Sequence, residues 1–390
     1  MHPTVNKLST LLHSFLYGSD KGQRPRSDII NGSTGSLGCY LLDKLRTDES
    51  VRKVYCLTRD SDVKRQQKLL QERGLDFTIP DKIEFIQTSS GAPQLGIKDA
   101  KFQEMLQSVD TIIHNAWRMD FNISVESFDD IHIRAVRSLL DFSLQSTKRA
   151  HVHFLSSIGA VGRATGSAVP EIAFEDCDVT LRRGYGEAKH VCQRICLAAS
   201  QRAGVPVSVH RLGQIAGPCT GSGYWNPIEW LPAIVATSKF LGKMPSTLGA
   251  FPVDWIPVDS LATIIVEILH SCQREDTFKV FHQVNPTPPT WESLLRPIHN
   301  MYPGMNTVLM EQWVEDLKLI QAPTARELAS KPALKLLGFY EGLIGSVENG
   351  VGSLSVPLDT TNIKGASATM QSLSSITPEM LSNWLQQWAF

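Results

Sequence analysis

The segment INGSTGSLG, residues 30–38, constrains the fold more than any other stretch. A short apolar strand (28–31) runs into a G-x-x-G-x-x-G turn made by Gly32, Gly35 and Gly38, and an apolar helical pattern (37–46) follows at once. A residue without Cβ lets backbone N–H groups approach an anion, and a helix N-terminus at the same place favours phosphate. Gly32 starts the turn, Gly35 permits close approach and Gly38 lets the helix pack on the strand, an arrangement that suits a dinucleotide pyrophosphate. Thr34 and Leu37 complete the candidate cofactor contacts of the turn. A plain Gly/Ser loop can carry the same letters; the place between strand and helix gives them meaning.

Strand and helix signals alternate from this turn onward. Strands are expected at 28–31, 53–58, 82–87, 111–115, 152–156 and 206–211, where the series closes. Helices are expected at 37–46, 62–73, 100–108, about 131–145, and from Tyr185 to about 203. This order predicts an α/β fold, a Rossmann-type doubly wound parallel sheet, with ligand bound at its carboxyl edge. Residues 27–217 form that domain, 251–285 return to it, and 218–250 with 286–390 make a smaller, mostly helical substrate lobe. Residues 1–26 read as a linker after a mildly apolar stretch at 8–17. An apolar helix at 261–271 takes Asp259 or Ser260 as its N-cap. The Gly/Ser/Thr-rich stretch 345–375 reads as a long loop. A last helix begins near Pro378, with Leu381, Trp384, Leu385 and Trp388 as a packing stripe.

Composition excludes some classes. A formal net charge of -1 gives no electrostatic case for nucleic acid. No apolar run approaches the roughly 18 residues of a membrane span. The seven cysteines form no C-x-x-C pair and no ligand-like cluster with histidine, so reduced thiols in or near a core, a cytoplasmic location and no metal are expected.

The second strand ends Leu57-Thr58-Arg59-Asp60. An acidic residue placed first would favour NAD through the ribose 2′-hydroxyl; Arg59 placed first suits a 2′-phosphate, hence NADPH. Lys64 and Arg65 follow, as assistants or as a solvated helix face. Farther on, Tyr185-Gly-Glu-Ala-Lys189 puts a phenol and an ammonium on one side of a helix. A free phenol has a pKa of about 10, and a neighbouring ammonium is expected to lower it. Lys189 can also hold the nicotinamide ribose. Y-x-x-x-K occurs by chance, but HFLSSIGAVG (153–162) precedes it, a strand ending in two serines. Ser157, with Ser156 as fallback, is expected to bind the substrate oxygen that Tyr185 protonates. Asn115 ends another strand, either orienting Lys189 or as a turn residue.

These stretches resemble the extended short-chain dehydrogenase/reductase superfamily. Together with CLTRD (56–60), HNAWRMDFN (114–122), RLGQIAGP (211–218) and DWIPVD (254–259), they are similar to the thioester reductase domains of nonribosomal-peptide-synthetase-like enzymes, aminoadipate reductases and carboxylic acid reductases. HNAWRMDFN and GYWNPIEWLP (223–232) look most like the fungal branch. The resemblance runs from about residue 28 to the C-terminal helix. It departs after the third strand, where Gln87-Thr88-Ser89-Ser90 lacks the acidic residue often found near the adenine. It implies that a phosphopantetheinylated carrier protein presents an acyl thioester, which NADPH reduces to an aldehyde or on to an alcohol, Tyr185 giving the proton. The Trp- and Pro-rich segment 224–232 would then wall a channel for the pantetheine arm. A free-standing ketone or aldehyde reductase, a nucleotide-sugar epimerase or dehydratase, and a non-catalytic dinucleotide sensor are the alternatives on the same scaffold.

Overall fold

The computed structural model describes residues 25–89, 92–223, 225–249, 251–272, 277–348 and 356–390. The expected linker up to residue 24, the apolar stretch 8–17, Ser90 and Tyr224 lie outside the described residues.

Seven parallel strands form one sheet: β1 (Arg26–Asn31), β2 (Val51–Thr58), β3 (Ile83–Gln87), β4 (Thr111–His114), β5 (His151–Ser157), β6 (Val207–Leu212) and β7 (Phe278–Gln283). Their spatial order is β3-β2-β1-β4-β5-β6-β7. The series therefore does not close at β6. The chain makes an excursion through the C-terminal half and returns to pair Phe278–Gln283 with Val207–Leu212. From β1 the chain winds to one side through β2 and β3 and then crosses back to β4 on the other side of β1, which opens a crevice at the carboxyl ends of β1 and β4.

The helices that follow these strands are α1 (Ser36–Thr47), α2 (Val63–Glu72), α3 (Asp99–Ser108), α4 (Arg134–Gln145), α5 (Gly184–Ala203), α6 (Trp230–Leu241) and α7 (Val258–Ser271). Two apolar layers sandwich the sheet because side chains alternate along each strand. Ile30, Ile113 and Leu155 pack with α1 and α7, while their neighbours Ile29, Ile112 and Phe154 pack with α3, α4 and α5.

A third core holds the C-terminal lobe together: Trp225, Trp230, Trp255, Trp313, Tyr340 and Trp384 converge in it. To it belong α6, α8 (Trp291–Met301), α9 (Met310–Lys318), α11 (Leu337–Glu348) and α14 (Pro378–Trp388), while the short α10 (Ala325–Ser330) buries no side chain. Several buried indole N–H groups find carbonyls: Trp384 donates to the Pro218 carbonyl at 2.9 Å and Trp388 to the Trp225 carbonyl at 2.8 Å, whereas Trp255 Nε1 has no partner among the described residues.

Two local expectations fail. Helix α7 starts at Val258 behind Pro257, so Asp259 sits inside the first turn and is not the cap; its carboxylate instead accepts from the Cys219 N–H at 3.0 Å. The stretch 345–375 is not one loop, because it contains α12 (Thr361–Ala366) and α13 (Ala368–Gln371). Ile363 and Met370 are fully buried there, and Glu267 of α7 accepts from both Ser367 and Thr369.

Candidate active site

The glycine turn is built by close approach. Gly32 has φ +97°, and a Cβ there would lie 2.7 Å from the Ala116 nitrogen. A Cβ on Gly38 would overlap the Gly32 carbonyl oxygen and the Ser33 backbone, so α1 can press onto the turn only with glycine at that position. Gly35 is the N-cap of α1, with no side-chain cap and no acidic residue in the first turn. The first N–H groups of a twelve-residue helix are thus left for an anion. Thr34 is half-buried beside them and Leu37 is buried. Gln66 of α2, which sequence reasoning missed, braces the turn: it accepts from Ser33 Oγ at 3.1 Å and donates to the Ser33 carbonyl at 3.2 Å. Gly38→Ala should therefore push α1 off the turn. Overpacking costs about 1–3 kcal/mol, and a lower denaturation midpoint together with lost dinucleotide binding is the expected result; an unchanged midpoint would contradict the overlap.

Asn115 spans the crevice. Its side-chain amide donates to the Gly32 carbonyl at 3.0 Å and its backbone N–H to the Asn31 carbonyl at 2.8 Å. It clamps the turn to the end of β4 rather than touching Lys189. Arg59 is exposed at the end of β2 and has no ion-pair partner among the described residues. Arg65 is committed to Asp60 at 2.6 Å, so that pair neutralises itself and Arg59 and Lys64 remain the open cations. Thr58 Oγ1, buried next to Arg59, has no hydrogen-bond partner among the described residues.

The two serines of β5 point to opposite faces. Ser156 accepts from Gln193 at 2.7 Å and joins a buried network in which Arg211 contacts Gln193 at 2.9 Å and His282 at 3.0 Å. Ser157 accepts from the Gly159 N–H at 3.1 Å, and its hydroxyl is near enough to the Tyr185 phenol to favour the phenolate. Tyr185 lies in the first turn of α5, 8% exposed. Burial pushes its phenol up to about 12, and only the neighbouring Ser157 hydroxyl opposes this. The expected lowering by Lys189 is not what this geometry gives. One turn on, the Lys189 ammonium donates to the Leu155 carbonyl at 2.6 Å, sits 3.8 Å above the Trp117 ring and is 5.9 Å from the Tyr185 ring centre. Burial pulls Lys189 down to about 7. His114 is held neutral near 3 by burial and by the Lys189 charge. His114 Nε2 and Trp117 Nε1 are buried without hydrogen-bond partners among the described residues. A turn that a Cβ would fill and orphaned polar atoms along the same edge fit a bound dinucleotide.

Elsewhere the expectations meet corrections. His151, His153 and Cys272 bring ligand-capable atoms within 4.8 Å of one another at the amino end of β5, a cluster sequence spacing hid. The two imidazoles stack at 4.4 Å, and Ser208 bridges His151 (3.0 Å) and Cys272 (3.5 Å), so protein groups already meet their polar atoms. All seven cysteines are free, but Cys177 and Cys219 are exposed rather than near a core. The rings of Trp225 and Trp230 are buried in the lobe's core, leaving Ile228, 74% exposed, as the open apolar side chain of 225–232.

A dinucleotide turn and a Ser/Tyr/Lys group at the carboxyl edge of one parallel sheet define an oxidoreductase of the short-chain dehydrogenase/reductase type, working with a nicotinamide cofactor. More narrowly, the NAD-binding family described as "Male sterility protein" matches residues 30–265, and the chain belongs to it. Carboxylic acid reductase of Neurospora crassa is 37% identical over 373 residues, 93% of this chain and 35% of that protein. The terminal R domain from the myxalamid PKS-NRPS biosynthetic pathway superposes with a TM-score of 0.76 at 21% identity, covering 94% of this chain and 91% of that one. A thiolation-reductase di-domain from an archaeal non-ribosomal peptide synthetase gives 0.70 at 17% identity, covering 100% and 81%. The chain spans about a third of the length of the reductases among its curated relatives, and less of the polyketide synthases it also matches. No helix among the described residues is long and apolar enough to cross a membrane.

Proposed function

We propose that this chain reduces a carrier-bound acyl thioester with NADPH, releasing an aldehyde that a second round can take to the alcohol. The observation that carries this reading is the Ser157 hydroxyl beside the buried Tyr185 phenol, with Lys189 one turn on, near a clamped and uncapped phosphate turn. The likeness to a carboxylic acid reductase and to a thiolation-reductase di-domain supports the thioester and a phosphopantetheinylated carrier as partner. A cytoplasmic location and the division into a 27–217 cofactor domain and a substrate lobe belong to the same proposal.

The residues divide the work. Gly32, Thr34, Gly35, Leu37 and Gly38 would hold the pyrophosphate, Arg59 the 2′-phosphate, and Asn115 the turn itself. Bound NADPH supplies a hydride to the thioester carbonyl carbon. Ser157 accepts from Gly159, which leaves its own O–H free to donate to the substrate oxygen or to the Tyr185 oxygen. Tyr185 gives its proton to the developing alkoxide, and donors aimed at that oxygen stabilise the transition state. Lys189 would hold the nicotinamide ribose and return positive charge to the phenol. The thiohemiacetal then collapses to aldehyde and free thiol.

Acyl-pantetheine thioesters with NADPH should yield aldehyde detectable by mass, and the free acid should not react. Turnover of the free acid by NADPH alone would refute the mechanism. Arg59→Ala removes a charge-assisted pair worth roughly 1.5–3 kcal/mol, so NADPH affinity should fall by about one to two decades while NADH binding stays put; equal losses would remove Arg59 from the 2′-phosphate. One observation favours the free-ketone reading: Phe121 packs edge-on against Tyr185 at 5.2 Å, so a long arm reaches the phenol only after a ring moves.

A further inference from the structure

The rings over Tyr185 form a continuous series that belongs to two parts of the chain. Phe121, from the loop after β4, meets Tyr185 at 5.2 Å and 70°. Phe339 of α11 lies flat on Phe121, 5.5 Å away at 25°. Phe251 packs on Phe339 at 5.9 Å, and Phe251 also lines a cavity of about 370 Å³ with Leu248, Val253 and Trp291. The stack thus stands between that cavity and the phenol. Phe339 is held from the catalytic helix itself. Arg183, the N-cap of α5, donates to the Gly338 carbonyl at 3.0 Å, and its guanidinium lies 5.5 Å from the Phe339 ring centre. Gly342 leaves the space its guanidinium fills, since a Cβ there would overlap it. The backbone of α11 is fixed separately, because the buried Tyr340 hydroxyl donates to the Trp230 carbonyl at 2.7 Å. Uncovering the Phe121 face therefore asks for a swing of the Phe339 ring, not a displacement of the helix.

We propose that Phe121 is the platform of the acyl subsite, that Phe339 occupies this subsite between turnovers, and that the subsite selects flat, conjugated acyl groups. The proposal rests on the thioester-reductase reading for its substrate. A carbonyl that reaches Tyr185 and Ser157 must carry its acyl group past Phe121. A planar group takes over the offset stack that Phe339 vacates. A saturated ring of the same carbon count covers similar area but has no face to stack. Aromatic pairs are worth about 0.5–1.5 kcal/mol beyond area burial, which corresponds to roughly two- to tenfold in kcat/KM.

The test compares the benzoyl and cyclohexanecarbonyl thioesters of pantetheine with the whole chain and NADPH. Wild type should prefer benzoyl. Phe121→Leu should lower the benzoyl-to-cyclohexanecarbonyl ratio roughly two- to tenfold, with NADPH affinity unchanged as the sign of an intact fold. Phe339→Leu should lower KM for benzoyl and leave kcat alone, because the internal competitor is gone. The same ratio in wild type and Phe121→Leu would overturn the proposal, as would a Phe339→Leu variant that loses both substrates equally through kcat. Should neither thioester be reduced while NADPH binds, the thioester reading falls, and calorimetry decides the subsite separately. The benzoyl amide of pantetheine, which is not reduced, should then bind wild type more tightly than the cyclohexanecarbonyl amide and lose that margin in Phe121→Leu; equal affinities would end the proposal.

Discussion

Replacing Tyr185 by Phe is expected to abolish nearly all turnover while cofactor binding and the fold stay close to wild type. The phenol is buried beside the Ser157 hydroxyl, and the substitution removes only one hydroxyl. Ser157 keeps its bond to the Gly159 N–H, and the ring keeps its edge contact with Phe121. Removing a proton-transfer group typically costs about 10²–10⁴-fold in rate. In this site the wild-type phenol begins near 12, far above neutrality, so it holds its proton firmly until the reacting oxygen becomes a strong base. The measurement is turnover of an acyl-pantetheine thioester beside an NADPH titration. Wild-type turnover in Tyr185→Phe would move the proton source to another group, and a matching loss of NADPH affinity would make the effect structural.

What the sequence made legible, and what it hid, follow from how far apart the interacting residues lie. The glycine turn and the Tyr/Lys pair are local: the three glycines fall within seven residues, and one helical turn joins Tyr185 to Lys189. The strands of the sheet are short apolar runs bounded by breakers, so they can be read directly. The return of β7 to the sheet is not local, because about 65 residues separate it from β6, part of them in the C-terminal core and part in α7 against the sheet. The sequence favours Ser157 over Ser156 but does not show which face each takes, for a different reason. Moving by one residue along a strand changes the face, and only the position of Gln193 and Tyr185 in space shows which serine meets which. Trp117 could be read as a letter in HNAW, but its role depends on an ammonium 72 residues later settling on its face. Gln66, Arg183 and Arg211 likewise act through partners that no spacing announces. Composition misled at 345–375, where small polar residues read as loop although two buried side chains and one carboxylate from α7 fold part of it into helices.

Lys189→Met should separate the charge of this residue from its bulk through the pH dependence of stability. An unfolded lysine titrates near 10.4, and burial lowers the folded value to about 7. Below pH 7 both states bind the proton and the folded state bears the full cost of burying the ammonium. Between about 7 and 10.4 the unfolded state binds more protons than the folded one, so wild-type stability rises with pH. Above that window neither state is charged and the cost is gone. Methionine has the length without the charge, so it carries no such slope. Other buried acids, Glu229 and Asp254, are pushed up to about 7 by burial, but they are common to both proteins and cancel in the difference. The stability of wild type minus that of Lys189→Met should therefore climb across this window with a slope approaching about 1.4 kcal/mol per pH unit, measured by denaturant unfolding without cofactor. The Leu155 carbonyl loses its donor in the variant, which adds an offset but no slope. A flat difference would mean that Lys189 stays an ammonium in the folded chain, held by the Trp117 face and the Leu155 carbonyl against its burial. Turnover should be lost in the variant in either case. The slope decides whether the charge beside Tyr185 is present in the unliganded protein or has to be restored when the site fills.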